Sequence, residues 1–163
     1  MKQSAGILVY KKKNNVTEVL IVHPGGPFWA KKDKGAWSIP KGEPQEGDDR
    51  LETAKREFRE ETGHEAPNGE FIELGSIKNK SGKVIYAWAV EGDLDASNVK
   101  SNTFTMEWPP KSGNQQEFVE VDKAGWFNLE KAKEKLNPAQ ADFIDRLAEA
   151  LNVDLSEPPE QTT

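Results

Sequence analysis

Within residues 42–64 a helix is bounded at both ends by its own sequence. Asp49, with Glu52 three residues on, resembles a capping box that starts a helix near Arg50, and Gly63 suits the position just past a helix end. Leu51, Ala54 and Phe58 recur at helical spacing, so this face must find a core to pack on. The same helix carries Glu57, Glu60 and Glu61 on one turn. Like charges three and four residues apart repel by roughly 0.2–0.5 kcal/mol per pair. Glu57 opposes both of the others, a repulsion that a bound divalent cation turns into attraction. At roughly 100° per residue, Glu57 and Glu61 lie beside the apolar stripe and Glu60 further round. The acids therefore stand at the rim of the packed face, where a sheet and its loops converge, rather than pointing straight into solvent.

The chain's 163 residues suit one domain with a real core and are short for two. No apolar run approaches the roughly 18–20 residues that span a bilayer. The first ten residues run into strand-like sequence with no signal-peptide pattern, and cysteine is absent, which removes disulfides, thiolate catalysis and zinc–thiolate sites. These features suggest a cytoplasmic enzyme or binding domain with no membrane association. The formal net charge of −6 is unevenly spread: residues 1–41 hold eight Lys against Glu18 and Asp33. An acidic balance argues against a nucleic acid polymer as partner, since that affinity rests on phosphate neutralisation. A basic N-terminal third facing an acidic helix suits a small polyphosphate bound with its metal.

Ser4–Tyr10 and Glu18–His23 read as strands, with the Lys11–Lys13 and Asn14-Asn15 stretch as the loop between them. A loop rich in Lys, Gly and aromatics follows to about Ala36, then a short extended piece from Trp37 to Pro40. Phe71–Lys78 and Lys83–Val90 read as strands turning at Ser81-Gly82; Asp95–Gln116 reads as a long structured loop; Glu117–Val121 and Trp126-Phe127 return to strand character. Leu129–Leu136 suits a short helix. Asn137-Pro138 opens another, to Leu151, with Phe143, Ile144, Leu147 and Leu151 as its stripe. One domain over residues 1–153 is expected, with a disordered tail over 154–163.

The spacing in residues 42–64 resembles the Nudix box: a glycine, an acid, then Arg-Glu-apolar-x-Glu-Glu-x-Gly, matched at Gly42, Arg56, Glu57, Phe58, Glu60, Glu61 and Gly63. Two positions depart from the family pattern, Asp48 where Glu is usual and His64 where an aliphatic residue is usual. The shorter Asp48 puts its reach toward Arg56 in question. The resemblance to the Nudix (MutT-like) family implies an α+β fold, an α/β/α sandwich with a mixed, mainly antiparallel sheet. The box helix is expected on one face and the helix from 138 to 151 on the other. It also implies a pyrophosphohydrolase using Mg²⁺, with Mn²⁺ as a substitute. Glu57, Glu60 and Glu61 are the implied ligands, joined by a carbonyl near Lys41–Gly42, while Arg56 orients a box glutamate and Lys41 contacts substrate. Ion pairs Glu52–Arg56 and Arg56–Glu60 are expected along the helix. A further acid often completes such sites. Glu120, six residues before Trp126, is similar in spacing to an acid of dinucleoside tetraphosphatases and is the candidate extra ligand or general base; Glu117 is its competitor.

The box implies the bond that is cut and leaves the molecule open. Trp37–Pro44 and Lys83–Asp93 are similar to strands of diadenosine tetraphosphate hydrolases, which favours a dinucleoside polyphosphate as the small-molecule partner. A nucleoside triphosphate or ADP-ribose pyrophosphatase, or a binding domain without turnover, are the alternatives. Phe28 and Trp29 beside Lys31 and Lys32 suit a nucleobase and its phosphates. Tyr86 and Trp88 share one strand face, toward either the core or the substrate; Trp37 and Trp126 suit the core. His23 and His64 carry no assigned role. Oligomeric state is not legible.

Overall fold

The computed structural model describes residues 2–155. Its elements are β1 (Gln3–Lys13), β2 (Val16–Pro24), β3 (Lys41–Gly42), α1 (Arg50–Thr62), β4 (Ile72–Lys78), β5 (Val84–Glu91), β6 (Thr103–Glu107), β7 (Gln115–Val119), β8 (Val121–Asn128), α2 (Leu129–Lys135) and α3 (Ala141–Leu151). The main sheet runs β4-β5-β1-β2-β8, with β3 also on β1. Among the described strand pairs of this sheet only β1 and β5 are parallel, so the sheet is mixed and mainly antiparallel.

Strand alternation divides β1 between two cores. Ala5, Ile7 and Val9 join Ala54 and Phe58 of α1. Leu8 joins Trp37, Ile39 and the α3 residues Phe143, Ile144 and Leu147 on the other side. This is the expected α/β/α sandwich, with α1 and α3 on opposite faces. The caps of α1 follow its sequence: Asp49 accepts from the Glu52 N–H, and Gly63 takes φ 77° while its N–H donates to the Arg59 carbonyl.

Several expectations are corrected. Lys11–Lys13 belong to β1, because Asn14 and Asn15 (φ 54° and 65°) close the hairpin in two residues. Leu51 is only half-buried; Thr53 and Thr62 complete the buried face of α1. Trp126 is half-buried under Lys11, its N–H donating to the Leu94 carbonyl. The last helix starts at Ala141, after a 3-10 turn over Pro138–Gln140. The long loop expected over 95–116 contains β6 and runs into β7, which pair as a separate hairpin. Leu155 packs on the α3-side core, so the chain stays engaged past 153; the tail expectation for 156–163 lies outside the described residues.

Phe58 is fully buried between α1 and β1. Phe58→Ala is expected to cost about 3–5 kcal/mol of unfolding free energy, read from the denaturant midpoint. A loss below about 1 kcal/mol would contradict the packing of α1 on this sheet.

Candidate active site

The C-terminal turn of α1 leaves carbonyls without helical partners, and the 100–102 segment meets two of them. The Lys100 N–H donates to the Thr62 carbonyl at 2.9 Å and the Asn102 N–H to the Glu60 carbonyl at 2.8 Å. The chain then returns through the hairpin: the Glu120 N–H donates to the Asn102 carbonyl and the Gly25 N–H to the Glu120 carbonyl, both at 2.9 Å. A run of main-chain bonds thus joins the acidic helix turn, Glu120 and the 24–29 loop.

Glu57, Glu60, Glu61 and Glu120 line one cavity of about 560 Å³ with Lys41, Gly42, Arg56 and Lys83. Glu117 is exposed on β7 and outside it, so Glu120 is the acid brought to the helix. β3 fits tightly against the cluster. The Lys41 N–H donates to Glu61 Oε1 at 3.3 Å, and a Cβ on Gly42 would collide with the Glu57 carboxyl. A side chain at position 42 would therefore push the Glu57 carboxylate off β3.

Arg56 gathers the surrounding acids. Its guanidinium reaches Asp48 Oδ2 and Glu57 Oε1 at 3.3 Å each and Glu60 Oε1 at 3.9 Å. It also donates to the Glu43 carbonyl at 3.4 Å. Asp48 therefore reaches Arg56 despite its shorter side chain, and it also accepts from the Gln45 N–H at 2.9 Å, which fixes the box loop. The expected Glu52–Arg56 pair is replaced by Glu52–Lys55 at 3.2 Å; Arg56–Glu60 is present.

The cavity's charges disturb one another. Burial pushes the Glu61 carboxyl up to about 8 against the pull of Lys41. Burial and the neighbouring Glu60 charge raise Glu57, opposed by Arg56. Glu120 is raised by the surrounding protein and then by Glu60. Lys41 is lowered by burial and by Lys83, despite the acids around it. Among the described residues, no three His, Asp or Glu side chains converge closely enough to hold a metal ion by themselves. The donor set, carboxylates held near one another against their repulsion beside a carbonyl-bearing strand, suits a hard cation that draws remaining oxygens from water and phosphate.

Glu120 also borders a second, apolar cavity of about 330 Å³ lined by Pro24–Trp29, Phe104 and Met106. Phe28 and Trp29 meet edge-to-face at 5.2 Å, with the Lys32 ammonium 3.9 Å from the Phe28 ring centre. Tyr86 lines neither cavity; the Arg50 guanidinium lies over its ring at 4.0 Å. Sequence reasoning missed Lys83, Phe104 and the role of His23. Buried His23 lies between Asp122 Oδ1 (2.9 Å) and the Lys32 carbonyl (2.6 Å), clasping the aromatic loop to β8. Its sequence signal was a histidine inside an apolar strand, with a partner 99 residues away. His64 lies 2.6 Å from the Asn98 carbonyl.

Comparison with known proteins places these features in a family. The NUDIX domain model matches residues 1–147. Nudix hydrolase 7 of Arabidopsis thaliana is 32% identical over 124 residues, covering 71% of this chain; the chain spans 40% of that relative's length. A C. elegans Ap4A hydrolase binary complex superposes with a TM-score of 0.67 at 19% identity, covering 93% of this chain and 98% of that one. The NUDIX domain of Shewanella oneidensis NrtR complexed with ADP ribose gives 0.61 at 16% identity, covering 91% and 87%. These likenesses at low identity show the fold. The family model, spanning the box and the sheet around it, shows that the chain belongs to the Nudix family.

Proposed function

We propose that this protein hydrolyses a phosphoanhydride bond in a nucleotide derivative, using Mg²⁺ or Mn²⁺, and that its preferred substrate is a dinucleoside polyphosphate such as diadenosine tetraphosphate (Ap4A). The observation that carries the reading is the single cavity lined by five glutamates and two lysines, with Glu120 on the wall between it and an aromatic-lined slot. Its occupant must bring strong anions, a cation and a flat apolar group at once.

Glu57, Glu60, Glu61 and the Gly42 carbonyl would hold the cation, leaving Glu120 to act as the base. When bound, the cation neutralises phosphate charge and makes water a better nucleophile. The Glu120 carboxylate accepts a proton from the attacking water as its oxygen bonds to phosphorus and the bridging P–O bond breaks. The ammonium groups of Lys41 and Lys83 offset negative charge on the phosphate chain. Arg56 holds Glu57 and the box loop in place. The likeness to the C. elegans Ap4A hydrolase supports the substrate choice in kind.

A nucleotide panel with Mg²⁺ tests this: Ap4A should turn over fastest. Faster hydrolysis of ATP or ADP-ribose would redirect the substrate, and tight binding with no turnover of any nucleotide would overturn the hydrolase reading. Glu60→Gln is expected to lower kcat about 100-fold or more with the fold intact. Glu120→Gln should also lower kcat, by about 100-fold, while Mg²⁺ still binds. An unaffected rate in either variant contradicts the role given to that residue.

The raised carboxyls also predict a pH dependence. A carboxyl whose pKa is higher folded than unfolded favours folding below its unfolded value, and that contribution is lost as pH rises through the folded value. For Glu61, reinforced by Glu57 and Glu120, the window runs from the ordinary carboxylate range to about 8. Asp33, Asp93 and Asp95, held low by Lys135, Lys11 and Ser97, act with the opposite sign below that window. Metal-free protein should therefore lose Tm between about pH 5 and pH 8, and Mg²⁺ should restore it at the upper end and not the lower. The loss should be smaller in Glu61→Gln. A wild-type slope unchanged by that substitution would contradict the account.

A further inference from the structure

We propose that Ser4 is a substrate-binding residue: its hydroxyl donates to a non-bridging phosphate oxygen seated between the Lys41 and Lys83 ammonium groups. This rests on the carboxylate cavity being the phosphate site.

The observation that points to a ligand is an orphaned hydroxyl. Two buried side-chain oxygens of the described residues have no hydrogen-bond partner, Ser4 Oγ and Thr53 Oγ1. Of these two residues only Ser4 lines the carboxylate cavity. A buried polar group left unpaired costs stability, so one kept at a cavity wall calls for a partner from outside the chain.

Strand register places that hydroxyl. β1 lies between β3 and β5, pairing Gly6 with Lys41 on one side and Ser4 with Ile85 on the other. Side chains alternate along a strand, so Ser4 and Gly6 share a face of β1. Lys41 is on that face too, since a Cβ on Gly6 would come 2.8 Å from the Lys41 Cβ. Lys83, two residues before Ile85, enters from the β5 side and lines the same cavity. Gly42, paired with Ala5, faces the other way, toward the Glu57 carboxyl. The cavity thus has an acidic wall from α1 and, across β3, a wall of two lysines with Ser4 between them.

The charges on this second wall define its occupant. Burial and then the Lys83 charge disfavour the Lys41 ammonium, so the two lysines act on each other. Lys83 meets the Glu43 carboxylate at 3.8 Å, a loose contact that a phosphate can displace. A water that satisfied the Ser4 hydroxyl would leave the two like charges unbalanced. A phosphate accepts from the hydroxyl and from both ammonium groups, which can only donate, and offsets their repulsion. The chain's next phosphate then reaches the cation on the acidic wall, so one diphosphate spans both walls.

Calorimetric titration with methylenediphosphonate, a diphosphate analogue that cannot be hydrolysed, in excess Mg²⁺ tests this without turnover. Ser4→Ala should raise Kd about tenfold or more, as expected for loss of a hydrogen bond to a charged group. Thermal unfolding of the ligand-free variant gives the second reading. Tm should hold or rise, because a hydroxyl with no protein partner adds nothing to the fold. A merely structural serine would do the opposite, lowering Tm and leaving Kd alone. In a Lys83→Met background, Ser4→Ala should raise Kd by a smaller factor, since the two groups share one phosphate. An unchanged Kd, a fall in Tm, or the same factor in both backgrounds would each overturn the proposal. Loss of analogue affinity on Ser4→Ala in a protein that cleaves no nucleotide upholds the seat and removes the hydrolase reading. Cleavage of Ap4A with a Kd unmoved by Ser4→Ala does the reverse.

Discussion

The site depends on holding carboxylates together against their own repulsion. Glu57, Glu60, Glu61 and Glu120 reach one cavity from a helix turn and a strand junction. In water such groups would move apart, since their side chains are long and free. Here the backbone of β3 closes on two of them: the Lys41 N–H fixes Glu61, and the missing side chain at Gly42 admits Glu57. Arg56 then offsets part of the charge from outside. The result is a pocket in which Glu57, Glu61 and Glu120 hold their protons more tightly than usual, Glu61 most of all, so a cation and a low pH compete for the same oxygens.

The fold's contribution is to make that arrangement rigid. Phe58 and Ala54 anchor α1 on β1, and β1 carries β3 by pairing Ala5 with Gly42 and Gly6 with Lys41. The same strand thus positions both sides of the cluster. At the far end of the helix, the segment that satisfies the Glu60 and Thr62 carbonyls also delivers Glu120. One solution to an unsatisfied helix end therefore supplies a fourth carboxylate and the start of the aromatic slot.

The helix and its acids were legible because their determinants are local. Asp49, Gly63, the Ala54–Phe58 stripe and the Glu57–Glu61 spacing all act within a few turns. The β6–β7 hairpin was not, because it is mostly exposed and offers little core pattern. Phe104 and Phe118 are its main packed pair, set among Thr, Gln and Glu. The surroundings of Tyr86 were illegible for a related reason: its neighbour on the ring face, Arg50, is 36 residues away in sequence, and no periodicity announces it. His23 likewise shows its role only through Asp122 and the Lys32 carbonyl, which the fold brings to it.

The central claim is that the glutamate cluster is a cation site completed by substrate. It is tested most directly by anomalous diffraction from crystals grown with Mn²⁺ and a non-hydrolysable nucleotide. The account predicts a manganese peak among Glu57, Glu60 and Glu61 beside the Gly42 carbonyl, with phosphate oxygens completing its shell. Manganese bound elsewhere, or nucleotide bound with no metal between these glutamates and its phosphates, would contradict it.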